Sequence, residues 1–145
     1  MSTTPGAVAV PHSLMARIVE TPFVPADSRA HDDVAAMLQT ARADTTLAAL
    51  ADALENELVR KLVAGTLAGA PYLGRLMQRD LVNLQRILTT APEQHFEDLS
   101  REVRTRVDTA ASIGDAMRAL RVFKSEVALL TALAAMIGAA VILTD

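Results

Sequence analysis

Hydrophobic side chains recur every three or four positions along most of the chain, which is the spacing of one face of an α-helix. The pattern predicts five helical stretches, namely Asp32–Ala43, Thr46–Gly65, Ala70–Leu88, Pro92 to about Ala110, and about Asp115 to Ile137. Runs of alternating apolar and polar residues are missing, so no strand is predicted. Because the connections are short, neighbouring helices should run antiparallel. We therefore predict an all-α fold, an antiparallel bundle of about five helices.

Several of these stretches carry residues that are typical of helix ends. Gly65 is suited to end the second stretch as a C-cap. Pro71 fits the first turn of the third, where a missing N–H costs nothing. Ser112 and Asp115 have the spacing of a capping box at the start of the fifth.

Proline is concentrated near the start of the chain, at Pro5, Pro11, Pro22 and Pro25. This density opposes both helix and central strand. We predict a flexible arm over residues 1–30, with one helical turn around Ser13 to Glu20, and a helical bundle domain over residues 31–145. The apolar patch near the start lacks the charged beginning of a secretory leader, so none is expected.

The third stretch divides into two faces. Six apolar residues share one face, namely Leu73, Leu76, Met77, Leu84, Ile87 and Leu88. The opposite face carries Arg75, Arg79 and Arg86. Such a charged face is usually only solvated, but it can also contact a partner. These three arginines are the candidate partner-facing residues.

Residues 127–143 carry no charge, and this run of 17 residues is at the short limit for crossing a membrane. Alanines, Thr131 and Gly138 favour a central helix buried in protein, with Phe123 and Leu130 in the core. A tail anchor is the alternative. Either the N-terminal helices fold over this run or a second copy covers it, and we favour self-association.

Composition argues against an active site in these 145 residues. There is no cysteine, the net charge is −3, and aromatic residues make up 3%. The three histidines, His12, His31 and His95, never have the i, i+4 spacing of two metal ligands on a helix. No phosphate-binding glycine loop or nucleophile elbow occurs, and arginine is not interleaved with aromatics as nucleic-acid binding would require. We predict no catalytic, cofactor-binding or metal-binding residue and no nucleic-acid partner.

Two segments resemble a known family. "APYLGRLMQRDLVNLQRIL" resembles a segment near the start of bacterial glutamine synthetase adenylyltransferases, and "AMRALRVFKSEVALLTALAAMIG" resembles a later helix of the same family. The matching positions are Pro71, Tyr72, Leu73, Arg75, Leu76 and Arg79, then Leu120, Arg121, Phe123, Lys124, Val127, Leu130 and Ala132. The resemblance covers roughly Ala35 to Gly138. Relatives usually have proline where this chain has Leu81, so the helix is expected to run straight here.

The resemblance implies a role within a much longer enzyme. Its family transfers AMP from ATP, with magnesium, to a tyrosine of glutamine synthetase and removes it by phosphorolysis. The family's Ser-Asp-x-Asp signature is absent from this chain, so no catalytic residue carries over. The implied segment is cytoplasmic and non-catalytic, a truncated gene product or a fragment. Its implied partner is the downstream catalytic domain or glutamine synthetase itself. The alternatives are a stand-alone helical interaction or dimerisation module and a small tail-anchored membrane protein.

Overall fold

The computed structural model describes residues 12–138, and helices dominate this range. The α-helices are α1 (Ala30–Arg42), α2 (Ala48–Leu54), α3 (Glu57–Gly69), α4 (Pro71–Arg79), α5 (Leu81–Thr89), α6 (Pro92–Asp108) and α7 (Ile113–Met136). Short 3₁₀ turns cover Met15–Arg17 and Thr45–Leu47. No strand occurs within the described range, and the prediction of an all-α fold is confirmed.

The helices enclose one core of aliphatic side chains. Helix α1 packs on α2 and α3, α2 packs on α5, α3 packs on α4, and α6 lies along α7. The largest fully buried side chains within these helices are Leu50, Leu54, Leu62, Met77, Leu84, Ile87, Leu88, Leu99, Leu129, Leu130 and Leu133. Burial of this apolar surface is the main force that holds the helices together.

The second predicted stretch is two helices, and the prediction of one helix there was wrong. Asn56 has an extended backbone, and its Oδ1 accepts hydrogen bonds from the amides of Leu58 at 2.8 Å and Val59 at 3.3 Å. This N-cap satisfies amides that a new helix start leaves unpaired, so α3 begins after Asn56.

Gly65 does not end a helix, which corrects the predicted C-cap. It lies inside α3 and is buried against Pro22 of the segment before α1. A Cβ at position 65 would lie 2.9 Å from Pro22 Cβ, closer than real side chains approach. The glycine therefore permits the N-terminal segment to pack directly on the α3 backbone.

The third predicted stretch also breaks, at Asp80, so the expectation of a straight helix was wrong. The Asp80 backbone leaves the helical region, and its Oδ1 accepts a 3.0 Å hydrogen bond from the Asn83 amide. Leu81 is then the first residue of α5, a position where proline is also favoured. The break therefore needs no proline, because the aspartate cap starts the new helix.

Replacing Asp80 with alanine should lower the free energy of unfolding by about 1 kcal/mol, because the Asn83 amide loses its acceptor. Asp80→Asn is the matched control, since asparagine caps equally well and should leave stability nearly unchanged. Urea denaturation followed by circular dichroism measures both. Equal losses in the two variants would show that the carboxylate charge matters here instead of the cap.

The segment before α1 contacts the helical region at two places, the connection between α5 and α6 and the end of α7. The Leu14 amide donates to the Thr90 carbonyl at 3.1 Å, and the amides of Val19 and Glu20 donate to the Ile137 carbonyl at 2.9 and 3.0 Å. Leu14 is fully buried. The 3₁₀ turn lies within the region where one helical turn was predicted. Residues 1–11 lie outside the described range, and flexibility over residues 1–30 stays a prediction.

Helix α7 starts with the predicted cap, in which the Asp115 amide donates to Ser112 Oγ at 3.1 Å. Its second half buries only one face, formed by Leu129, Leu130, Leu133 and Ala134, followed by Ile137 just beyond the helix.

Helix α7 agrees with the sequence predictions at some residues and differs from them at others. Thr131 and Ala135 are exposed, so burial on all sides was wrong for this part of the helix. Leu130 is buried as predicted, but Phe123 is only half-buried. Among residues 12–138, no helix combines the length and hydrophobicity that crossing a bilayer requires. Residues 139–143 of the predicted apolar run lie outside the described range.

Candidate functional site

Helix α4 presents an aromatic and basic outer face. Tyr72, Arg75 and Arg79 are exposed on it, while Leu76 and Met77 point into the core. The spacing of three and four residues places the exposed side chains on one side of the helix. Arg75 and Arg79 therefore lie on one exposed surface, and neither forms an ion pair with another residue of the range 12–138.

The third candidate, Arg86, has a different environment from Arg75 and Arg79. It lies on α5, is half-buried, and its Nη2 contacts Glu102 Oε2 of α6 at 2.9 Å. This pair joins α5 to α6 and occupies the guanidinium group. The structure thus brings Arg75 and Arg79 together and holds Arg86 in an ion pair within the chain.

A cleft of about 400 Å³ lies where the junction of α4 and α5 faces α7. Its lining residues are Leu76, Arg79, Asp80, Asn83, Arg118, Arg121, Val122, Ser125 and Glu126. Arginines and carboxylates both line the cleft, with apolar contact area from Leu76 and Val122. Such a mixed lining suits a ligand that offers both hydrogen-bond donors and negative charge.

Two acceptors in the cleft have unusual environments. Asn83 is only 6% exposed, and its Oδ1 has no hydrogen-bond donor among the described residues. Burial raises the pKa of the Glu126 carboxyl above its ordinary value, against the lowering effect of the Arg106 and Arg86 charges. A buried acceptor without a donor costs free energy, which distinguishes Asn83 among the residues that line the cleft.

The first half of α7 exposes an apolar row. Ile113, Met117 and Leu120 are 80%, 52% and 49% exposed, and their spacing puts them on one side of the helix. Large apolar side chains aligned in this way on a surface are typical of contacts with protein.

His95 of α6 is fully buried, and neither ring nitrogen has a partner among the described residues. Burial lowers the pKa of its imidazole to about 4, and the Arg86 charge adds to this, while Asp98 and Glu102 act in the opposite direction. The ring is therefore neutral at pH 7. From the sequence, His95 was considered only as a possible metal ligand. Residues 12–138 contain no group of three or more histidine, aspartate or glutamate side chains placed to hold a metal ion.

Asn83, Arg118 and Glu126 were not predicted from the sequence as site residues, and Arg121 was named only as a position of the family motif. Arg118 and Arg121 stand three residues apart, which places both on one side of α7. That spacing was a usable signal. That this side of α7 faces Asn83 could not be predicted from the sequence, because it depends on how α7 packs against α4 and α5.

Comparison with curated proteins identifies relatives of the chain. It is 36% identical over 124 residues to the bifunctional glutamine synthetase adenylyltransferase/adenylyl-removing enzyme of Bradyrhizobium diazoefficiens, a match that covers 83% of this chain. It is 34% identical over 135 residues, or 91% of the chain, to the enzyme of the same name from Bradyrhizobium sp. strain ORS 278. The chain is homologous to one segment of these glutamine synthetase adenylyltransferases.

The glutamine synthetase adenylyltransferase relatives are much longer than this chain, which spans 12–13% of their length. The enzyme of Rhodopseudomonas palustris strain TIE-1 is 44% identical over 64 residues. No protein-family model and no solved structure matches the chain. The resemblance to this family in the sequence is thus confirmed over most of the chain.

Proposed function

We propose that these residues form the non-catalytic, N-terminal helical segment of a glutamine synthetase adenylyltransferase-like protein. The observation that carries this proposal is identity of 34–36% over 83–91% of the chain to one short stretch of those enzymes. The parent protein would transfer AMP from ATP to glutamine synthetase and remove it again, in the cytoplasm. ATP and magnesium would bind in its other domains.

The segment's own role would be to contact protein. Its buried core supports a rigid α4 surface on which Arg75 and Arg79 are exposed. This surface would face the downstream catalytic domain or glutamine synthetase, while Arg86 would stabilise the junction of α5 and α6 that supports it.

A second candidate is a stand-alone dimerisation module, which the exposed row of Ile113, Met117 and Leu120 favours. Two copies that pack these rows together would bury apolar side chains that one copy leaves in water. Sedimentation of the chain with Met117→Glu separates the candidates, since a dimer formed through this row would dissociate into monomers.

The isolated 145-residue chain should neither attach AMP to glutamine synthetase nor release it. Nucleotidyl transfer with magnesium requires clustered carboxylates, and the sequence has no Asp-x-Asp pair. Modified glutamine synthetase that carries radiolabelled AMP is incubated with phosphate and the purified chain, and the released AMP is measured. Release above a no-protein control would contradict the non-catalytic assignment.

A chimaera tests the proposal directly. The matching stretch of the Bradyrhizobium diazoefficiens enzyme is replaced by residues of this chain, and both AMP transfer and AMP removal are assayed. Both activities should persist, because the helical core is shared between homologues. The same chimaera with Leu130→Glu should fail to fold. A soluble, folded chimaera without either activity would overturn the proposal.

A further inference from the structure

Three neighbouring depressions on the surface share lining residues. The first lies along the outer face of α4, the second is the cleft between α4, α5 and α7, and the third lies where α6 ends and α7 begins. Leu76 and Arg79 line both the first and the second, and Arg118 and Val122 line both the second and the third. We name this surface, with Arg75, Arg79, Arg106, Arg118 and Arg121 along it, the arginine trough.

The charge of the arginine trough is opposite to that of the whole chain. Its five arginines face three carboxylates, those of Asp80, Asp115 and Glu126, whereas the chain carries a net charge of −3. Arg118 pairs with Asp115 at 2.9 Å, but none of the ion pairs within residues 12–138 involves the other four arginines. These guanidinium groups can therefore bind carboxylates from another molecule in bidentate geometry.

The middle of the trough also requires a hydrogen-bond donor. Asn83 lines the cleft, and its Oδ1 is shielded from solvent and has no donor among the described residues, so a ligand N–H would reach it after a turn of the Asn83 side chain. A polypeptide has N–H groups as well as carboxylates, so it can satisfy Asn83 and the arginines together. Exposed apolar surface at Tyr72 and Val122 gives it further contact area.

We propose that the arginine trough binds an acidic segment of a partner protein, with carboxylates on the arginines and an N–H group on Asn83 Oδ1. This proposal rests on the proposed function, because both assume that the segment acts by contacting protein. A nucleic acid fits less well. Binding of a single strand relies on several aromatic side chains that stack on the bases, and Tyr72 is the single aromatic residue lining the trough.

The test uses the full chain and a fluorescein-labelled 14-residue peptide of alternating Glu-Glu and Leu-Leu pairs, with fluorescence anisotropy at about 50 mM NaCl, where charge attraction is little screened. The peptide should bind saturably, and a version with glutamine in place of glutamate should not. Arg79→Glu combined with Arg121→Glu should weaken binding by at least about tenfold. The matched control is Arg29→Glu combined with Arg104→Glu, two exposed arginines outside the trough, with an expected change below about twofold.

Asn83→Leu separates a ligand-binding role from a structural one. Removing an unpaired buried acceptor should leave the chain at least as stable to urea, because no donor within the described residues is lost. The same variant should weaken peptide binding several-fold, roughly as expected for one lost hydrogen bond. Unchanged peptide binding by Asn83→Leu would remove this residue from the site and overturn the proposed binding geometry.

Other results would overturn the proposal as a whole. These are failure of the acidic peptide to bind, equal losses in the two arginine pairs, or tighter binding of a 14-nucleotide single strand than of the peptide. Sedimentation as a dimer that dissociates with Arg79→Glu and Arg121→Glu would show that a second copy fills the trough. None of these outcomes affects the chimaera's AMP transfer, so the two proposals fail independently.

Discussion

Leu130→Ala is expected to lower the free energy of unfolding by roughly 2–5 kcal/mol. Leu130 is fully buried on the inner face of α7, where neighbouring helices surround it. Truncation removes buried methyl groups and leaves a cavity that rigid helices cannot fill. Urea denaturation of both proteins, followed by circular dichroism, gives the difference.

Arg79→Glu is the control for that measurement. Arg79 is exposed and belongs to none of the ion pairs of the described residues, so charge reversal should cost well under about 1 kcal/mol. Similar losses at the two positions would mean that the helical faces are assigned wrongly. A stable Arg79→Glu protein is also what the peptide-binding experiment requires.

Acidification from about pH 7.5 to 5 should destabilise the protein by about 2 kcal/mol through His95 alone. Its pKa is lowered from 6.5 to about 4 in the folded protein by burial. The unfolded chain therefore binds a proton as the pH falls below about 6.5, while the folded chain resists it until about pH 4. Stability is full above pH 6.5 and declines as the pH falls, and urea midpoints at several pH values measure this.

His95→Leu should remove most of this pH dependence, because leucine cannot titrate and fills a buried site. The raised pKa of Glu126 acts in the opposite direction, since the folded state takes up that proton more readily and gains stability as the pH falls. A slope that persists in His95→Leu would assign the acid sensitivity to carboxylates.

The helical faces were predictable from the sequence, but the helix breaks were not. Five of the six residues assigned to the apolar face of the third stretch are buried, because helical periodicity directly reports which side chains can pack together. Asn56 and Asp80 interrupt two stretches without disturbing that period. Each forms a local cap whose energy competes with helix continuation, and the period contains no information about that competition.

The candidate site was predictable only where one helix supplies it. Arg75 and Arg79 share the α4 surface because of their spacing alone. Arg121 and Asn83 line one cleft through the packing of α7 against the junction of α4 and α5, and residues nearly forty positions apart leave no local pattern. The helical position of Arg86 in the sequence pattern was equivalent to that of the other two arginines. In the structure, however, Glu102 of the neighbouring α6 forms an ion pair with Arg86.

The hydrogen bonds from Val19 and Glu20 to the Ile137 carbonyl are expected to form late in folding. They join positions more than a hundred residues apart, so the entropy of closing this loop must be offset by helices that have already packed. During synthesis on the ribosome, the N-terminal segment emerges first but must wait for the last turn of α7. Until then, Pro22 has no fixed place on Gly65, and the surface of α3 stays open to chaperones and proteases.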